Sequence, residues 1–247
     1  MYRRKILAVT VLIGLAFGFH FVYLFGKTFF WNNTVFEEEK IYLYISEGDD
    51  FMKLRSIITP YLKSISHFTL AAEKKGYINR VKPGKFELLK GSNNNDIINT
   101  LRSKSQTVRV TFNNQERLED LAGRIAQQVA PDTIALIEAI LDPNFLEAKG
   151  FSKENALSMY LPNSYDFFWS TSAENFRDKM WNSFQRFWSD TRKMKAVAQG
   201  LSAQEVINLA AIVQKETKKV DERSRVAGVY LNTVSYTHLR AHETLIY

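Results

Sequence analysis

Apolar and polar positions divide the chain into regions of different period. From Ile6 to Gly26 the run is almost wholly apolar, about 21 residues, and only Thr10, His20 and Tyr23 bring polar atoms into it. That length spans a bilayer as a helix. A short polar stretch, 32–40, follows. Ile41 to Ile45 then alternates with the period of a strand, and Phe51 to Leu62 has the period of a helix, interrupted by Pro60. Ser66 to Lys75 reads as a second helix, stopped at Gly76. Val81-Lys82-Pro83-Gly84 is a turn signal, Lys85 to Leu88 a short strand, and Gly91 to Asn95 another turn. Asp96 to Leu101 opens a short helix, and Thr107 to Phe112 alternates as a strand.

Beyond Phe112 the period is helical. In the mostly helical stretch Asn113 to Phe145, Leu118, Leu121, Ala122, Ile125 and Val129 form one apolar stripe; Ile134, Ile137, Ile140 and Leu141 form another. Tyr160 to Trp169 is dense in aromatics, and Pro162 bars a helix from starting earlier; the spacing reads as an aromatic core loop. Ser172 caps a helix from Ala173 to about Trp188, whose Phe176, Met180, Phe184 and Trp188 recur every four residues and read as core. The pattern predicts an α+β chain: an N-terminal transmembrane helix, a small α+β module, then a mainly helical domain.

Charge orients the first element. Arg3, Arg4 and Lys5 precede the apolar run, which keeps the N-terminus cytoplasmic by the positive-inside rule. Phe29, Phe30 and Trp31 follow it as an interfacial belt would, in place of a small-residue cleavage site, so the reading is an uncleaved single-pass anchor with the remainder outside the inner membrane. No cysteine is present, which excludes disulfides and thiolate-bound zinc. The net charge of +7 is scattered and no basic stripe interleaves with aromatics, so nucleic acid is not an expected partner. There is no phosphate-binding loop, dinucleotide fingerprint, zinc-protease motif or nucleophile elbow, and no cofactor is called for.

The stretch with the most chemistry is Leu201 to Asn232. Ser202 and Glu205 have the spacing of a capping box. Val206, Leu209, Ala210 and Val213 follow as an apolar stripe, with Asn208, Lys215 and Lys219 opposite. Glu216 lies three residues after Val213 and seven after Leu209, on the stripe and near the helix C-terminus. Burial and the negative end of the helix dipole both disfavour a carboxylate there, which suits a general acid. The spacing also fits a border glutamate paired with a lysine or arginine.

The residues Ala211-Ile212-Val213-Gln214-Lys215-Glu216-Thr217, then Asp221-Glu222, then Val226 to Asn232, resemble the core motif of the endolytic murein transglycosylases, the YceG-like family. The resemblance implies that Glu216 is the catalytic acid/base. It extends to Lys82-Pro83-Gly84-Lys85-Phe86 and Ile97 to Leu101, which resemble the family's LysM-like subdomain, a glycan-contacting module. Pro162-Asn163-Ser164-Tyr165 resembles its Pro-Asp-Thr-Tyr segment, with Asn and Ser replacing Asp and Thr. Asn163 and Tyr165, with Asn232 at the end of the core motif, are therefore the expected substrate-binding residues. Where many relatives show Glu-Gly after the preceding strand, this chain has Asn113-Asn114.

After Asn232 the family continues with Arg-Leu, a Gly-Met turn and a Gln-x-Asp-Pro-Thr segment; this chain runs Thr233 to Tyr247 instead. Val234 to Thr244 resembles one translated frame of a transposon-end sequencing adapter. His238 and His242 are four apart, but two residues without a third ligand do not make a metal site. The expected organisation is a cytoplasmic tip and anchor over 1–31, a linker over 32–40, the LysM-like subdomain over 41–112, an incomplete transglycosylase domain over 113–232, and a non-native tail over 233–247. The resemblance implies cleavage of the β-1,4 bond between N-acetylmuramic acid and N-acetylglucosamine with 1,6-anhydro ends, glycan strands as substrate, and cell-wall synthases (penicillin-binding proteins) as partners; a chain lacking the last segment is expected to be inactive. Two other readings stay open: a membrane-anchored peptidoglycan-binding scaffold without catalysis, and a hydrolysing glycosidase with Asp221 or Glu222 as second carboxylate.

Overall fold

A computed structural model describes residues 2–232, with side chains from Thr10 onward. His238, His242 and the adapter-like stretch lie outside the described residues. The fold is mixed α and β, mostly helical with two small sheets. It divides into two units that interleave along the chain: the first takes Met1–Thr111, Gly123–Asp132 and Ser164–Ser172, the second Phe112–Ala122, Thr133–Asn163 and Ala173–Tyr247.

The first unit begins with helix α1, Tyr2–Phe29. Its stretch Thr10–Phe29 is long and apolar enough to cross a membrane. Twenty residues at 1.5 Å each span about 30 Å, the thickness of a hydrocarbon core. Strand β1 (Lys40–Ile45) pairs antiparallel with β2 (Gly84–Leu89), Lys40 opposite Leu89 and Ile45 opposite Gly84. Between them lie α2 (Phe51–Ile58) and α3 (Ile65–Lys74), and α4 (Asn94–Arg102) follows β2. Each helix starts on a side chain that accepts an orphan N–H: Asp50 from Lys53, Ser64 from His67, Asn93 from Asp96. At Pro60 the helix expected to reach Leu62 tightens into a 3-10 turn, Thr59–Tyr61.

Strand alternation turns Leu43, Ile45, Phe86 and Leu88 inward onto Leu54, Ile58, Phe68, Ile97, Ile98 and Leu101, all buried. Each large side chain so buried stabilises by about 1.5–3 kcal/mol. Gly84 stands at φ 144°, and a Cβ there would collide with the Ser105 side chain, whose hydroxyl accepts from the Lys85 N–H at 2.9 Å. The turn before β2 therefore requires glycine.

The 32–40 stretch is hydrogen-bonded to this module. Asn33 N donates to Ser92 O at 3.0 Å, and Val35 N to Tyr61 O at 3.0 Å. The Asn33 side chain donates to buried Asn94 Oδ1 at 2.7 Å and accepts from Ser64 N at 2.8 Å. Asn94 Nδ2 in turn donates to Thr28 O at 2.7 Å, satisfying a carbonyl in the last turn of α1. Phe29 packs against the core beside it. Helix α1 thus runs into the module with its end capped by a buried amide.

Strand β3 (Thr107–Phe112) pairs with β4 (Asn163–Phe168). This corrects the aromatic loop expected there. Phe167 is buried and Tyr165 half-buried, a period of two that the adjacent Phe168 and Trp169 hide in the sequence. Pro162, with no N–H to give a ladder, sits just before the strand.

In the second unit the long helical stretch is broken. After α5 (Leu118–Ala126), α6 (Thr133–Ile140) starts beyond Pro131, and α7 (Pro143–Lys149) carries its proline at the first turn, capped by Asp142. Then come a 3-10 turn, Ala156–Met159, and α8 (Ala173–Phe187), α9 (Asp190–Val197) and α10 (Ala203–Glu216); residues 223–232 form a further helix, α11. Phe176, Met180, Phe184 and Trp188 are buried, the core role their spacing predicts. Arg177 is buried with them. It donates to Ala139 O at 3.2 Å and Asp142 Oδ2 at 3.1 Å, pairs with Asp178 at 2.9 Å, and lies 3.9 Å over the Phe145 ring. A buried guanidinium needs each of these partners.

Asn94→Leu leaves the Asn33 amide and the Thr28 carbonyl buried without their partner. The expected loss is about 1–3 kcal/mol, read as a lower urea midpoint for the full chain in detergent; an unchanged midpoint would show that the amide is not a structural link.

Candidate active site

Helix α10 is set by both of its ends. At the start Glu205 N donates to Ser202 Oγ at 3.2 Å and Ser202 N to Glu205 Oε2 at 2.7 Å, the capping box its sequence predicts. At the other end Glu216 is the last helical residue, and Thr217 turns out in an extended conformation. The Thr217 side chain is buried: its hydroxyl donates to Glu222 Oε2 at 2.8 Å and accepts from Lys219 N at 3.1 Å. Lys219 pairs with the other Glu222 oxygen at 3.3 Å. These bonds close the 217–222 turn, and the chain returns as α11.

The return brings Tyr230 to Glu216. The Tyr230 hydroxyl donates to Glu216 Oε1 at 3.0 Å. Between the two helices lies an apolar groove of about 450 Å³, walled by Leu209, Val213 and Gln214 of α10 and by Arg223 and Ala227 of α11. Lys215, on another side of α10, pairs with Glu116.

Glu216 itself is solvent-exposed. This corrects the burial inferred from the stripe: Val213 is buried, but Val206 and Leu209 are only half-buried and Ala210 is exposed, so nothing at this level of the helix withdraws the carboxylate from water. Its position at the helix C-terminus holds. The lysine partner of the other reading goes elsewhere, since Lys215 takes Glu116 and Lys219 takes Glu222. Chemically the site is an accessible carboxylate with one neutral donor on it, on a helix whose neighbouring turns wall an apolar groove.

The remaining expected residues are dispersed. Asn163 and Tyr165 lie on β4, two residues apart and hence on one face of the strand; Asn163 falls in the second unit and Tyr165 in the first. Asn232 ends the described part of α11 and is exposed. Tyr230 and Thr217 are the functional contacts that spacing did not single out. The signal for Thr217 is a hydroxyl directly after the helix, with a carboxylate five residues on.

Residues 43–247 match the YceG-like family. The chain belongs to the YceG-like family. A 2.6 Å crystal structure of a yceG-like protein from Listeria monocytogenes is 18% identical, with a TM-score of 0.48, over 81% of this chain and 72% of that one. No curated protein matches.

In this YceG-like chain the Tyr230 hydroxyl is held above its ordinary value, first by its hydrogen bond to Glu216, then by partial loss of water and by the Glu216 charge. The folded state binds this proton more tightly than the unfolded chain does. The link is therefore fully present below the free tyrosine value of about 10 and is lost as pH rises through the folded value. Subtracting the phenolate absorbance titration of Tyr230→Phe from that of the parent should reveal a transition above pH of about 10, moved back by Glu216→Gln. Identical difference titrations in the two backgrounds would break the pairing.

Proposed function

We propose that this chain is a membrane-anchored endolytic lytic transglycosylase that cleaves the β-1,4 bond between N-acetylmuramic acid and N-acetylglucosamine in peptidoglycan. The observation that carries this is the placement of Glu216: family membership points to it, and it stands exposed at the end of α10 with Tyr230 on one oxygen. A polymer strand can reach a carboxylate so placed, and its covering rings would exclude water from it.

One carboxyl group performs the reaction. Protonated Glu216 gives its proton to the leaving glycosidic oxygen as the C1–O bond breaks. The resulting carboxylate takes the proton of the muramyl C6 hydroxyl, whose oxygen bonds to C1 and closes the 1,6-anhydro ring. The proton returns to Glu216, and water is not consumed. Tyr230 donates to one oxygen and leaves the other for this exchange. A hydrolase would need a second carboxylate to activate water. Glu222 is held in the turn by Thr217 and Lys219, which favours the one-carboxylate scheme.

The rest of the reading follows the same course. Asn163, Tyr165 and Asn232 contact the strand. The β-α-α-β order of the first unit supports a LysM-like module that touches glycan. Thr10–Phe29 crosses the inner membrane with Arg3, Arg4 and Lys5 in the cytoplasm and the remainder on the cell-wall side, where synthases are the natural partners.

Glu216→Gln keeps the shape and removes the proton. Release of anhydromuropeptides from isolated sacculi should fall about 10²–10⁴-fold, the range of general acid–base contributions. Turnover of the variant within twofold of the parent, with an unchanged fold, would remove Glu216 from the mechanism.

A further inference from the structure

Strand β1 has a ladder partner on one side. Among the described residues it pairs with β2, and no strand or isolated bridge lies along its other edge. The phase of the ladder tells which main-chain groups that edge presents. Lys90 N donates to Glu39 O at 2.9 Å, so Glu39 and every second residue after it turn their N–H and C=O toward β2. Lys85, opposite Tyr44, gives the same phase from the other strand. Its N–H donates to Ser105 Oγ at 2.9 Å and its C=O accepts from Gln106 N at 3.0 Å, both away from β1. Lys40, Tyr42 and Tyr44 therefore point their main-chain donors and acceptors out of the sheet.

Free edges are normally blunted by proline, bulges or inward charges. Here the register runs from Lys40–Leu89 to Ile45–Gly84 without a bulge, and no proline interrupts either strand. The inward side chains Leu43 and Ile45 are apolar and buried. Lys40 is the one charge on β1, and its ammonium reaches across the sheet to Glu87 at 3.0 Å. The outward face is aromatic: Tyr42 lies under the Lys85 ammonium at 3.9 Å, and Tyr44 is 42% exposed.

Charge decides what this edge can take. The chain carries +7, yet residues 37–50 hold six carboxylates against one lysine. Glu37, Glu38 and Glu39 precede β1, and Glu47, Asp49 and Asp50 follow it. Glu37 pairs with Lys90, Asp49 holds the Ser46 N–H and Asp50 caps α2, while Glu38, Glu39 and Glu47 are exposed. A second copy laid antiparallel would bring the first cluster of one chain beside the second cluster of the other. Laid parallel, each cluster would meet itself. Like charges so placed oppose self-pairing.

We propose that the free edge of β1 takes an extended peptide segment of a protein partner, with lysine or arginine at both ends and apolar residues alternating between them. The segment's main chain completes the ladder at Lys40, Tyr42 and Tyr44. Its inner side chains extend the apolar layer of Leu43 and Ile45, and its cations meet the two acidic clusters. The assignment does not depend on the glycan-cleaving reading.

The test uses the full chain in detergent micelles and a blocked peptide probe, Lys-Arg-Val-Thr-Val-Thr-Val-Arg-Lys. The control probe carries glutamate at the basic positions. Amide exchange is followed residue by residue by NMR. In the free chain the Tyr42 and Tyr44 amides should exchange at least about tenfold faster than those of Ile41 and Leu43, which the ladder holds. The basic probe should slow both at least about tenfold, and should bind at least about tenfold more tightly than the acidic one at low salt. N-methylating one alternate set of probe amides should weaken binding about two- to tenfold per donor lost, and methylating the other set should not. Glu38→Lys together with Glu47→Lys, at exposed positions outside the ladder, should reverse the preference between the two probes. Slow Tyr42 and Tyr44 amides in the dilute free chain, absent or equal binding of the two probes, equal loss from both methylated sets, or an unchanged preference in the charge-swapped chain overturns the assignment. Protection of these amides that rises with protein concentration without any probe overturns it in favour of a second copy.

Discussion

A polar group taken out of water must find a partner inside, and this fold is arranged around how that demand is met. Asn94 meets it by capping the last turn of α1 and holding Asn33, so the apolar helix and the small module share one hydrogen-bond chain. Arg177 meets it with a backbone carbonyl and two aspartates, which tie α8 to the end of α6. Thr217 meets it by tying Glu222 and the Lys219 N–H, which sets the direction in which the chain leaves α10. Without the Thr217 turn, Tyr230 has no reason to arrive at Glu216. Tyr160 and Trp188 do not meet it, and they stand on the wall of an amide-lined cavity within the second unit.

Helix α10 borders both the groove and the amide-lined cavity. Its end carries the carboxylate, open to solvent and braced by one hydroxyl. Asn208 borders a neutral cavity, and Gln214 borders both that cavity and the groove. A single helix, locked at its start by Ser202 and Glu205 and at its end by Thr217, fixes the spacing of both sides.

Local rules carried much of the architecture. Alternation placed β1, β2 and β3, the four-residue recurrence placed Phe176, Met180, Phe184 and Trp188 in the core, and the Ser202-Glu205 pair marked the start of α10. These features depend on residues a few positions apart. What the sequence hid depends on residues far apart. Strand β4 needed β3 as a partner before its weak alternation meant anything. The exposure of Glu216 depends on what packs over Val206 and Leu209, which a stripe cannot state. The cavity joins 112–115, 160–162 and α10, segments whose carboxamides look like ordinary surface residues in isolation. The motif around Glu216 was legible because a short continuous stretch carries it, and the family match over 43–247 agrees with it.

The fate of water at the cut bond is the most direct measure of this chemistry. Sacculi digested by the protein in heavy-oxygen water should yield new muramyl ends that carry no heavy oxygen and weigh one water less than hydrolysed ends, because the C6 oxygen of the sugar itself closes the ring. One heavy oxygen at each new muramyl end would mean that Glu216 works with a second carboxylate as a hydrolase, and an absence of new ends would mean that the groove binds glycan without cutting it.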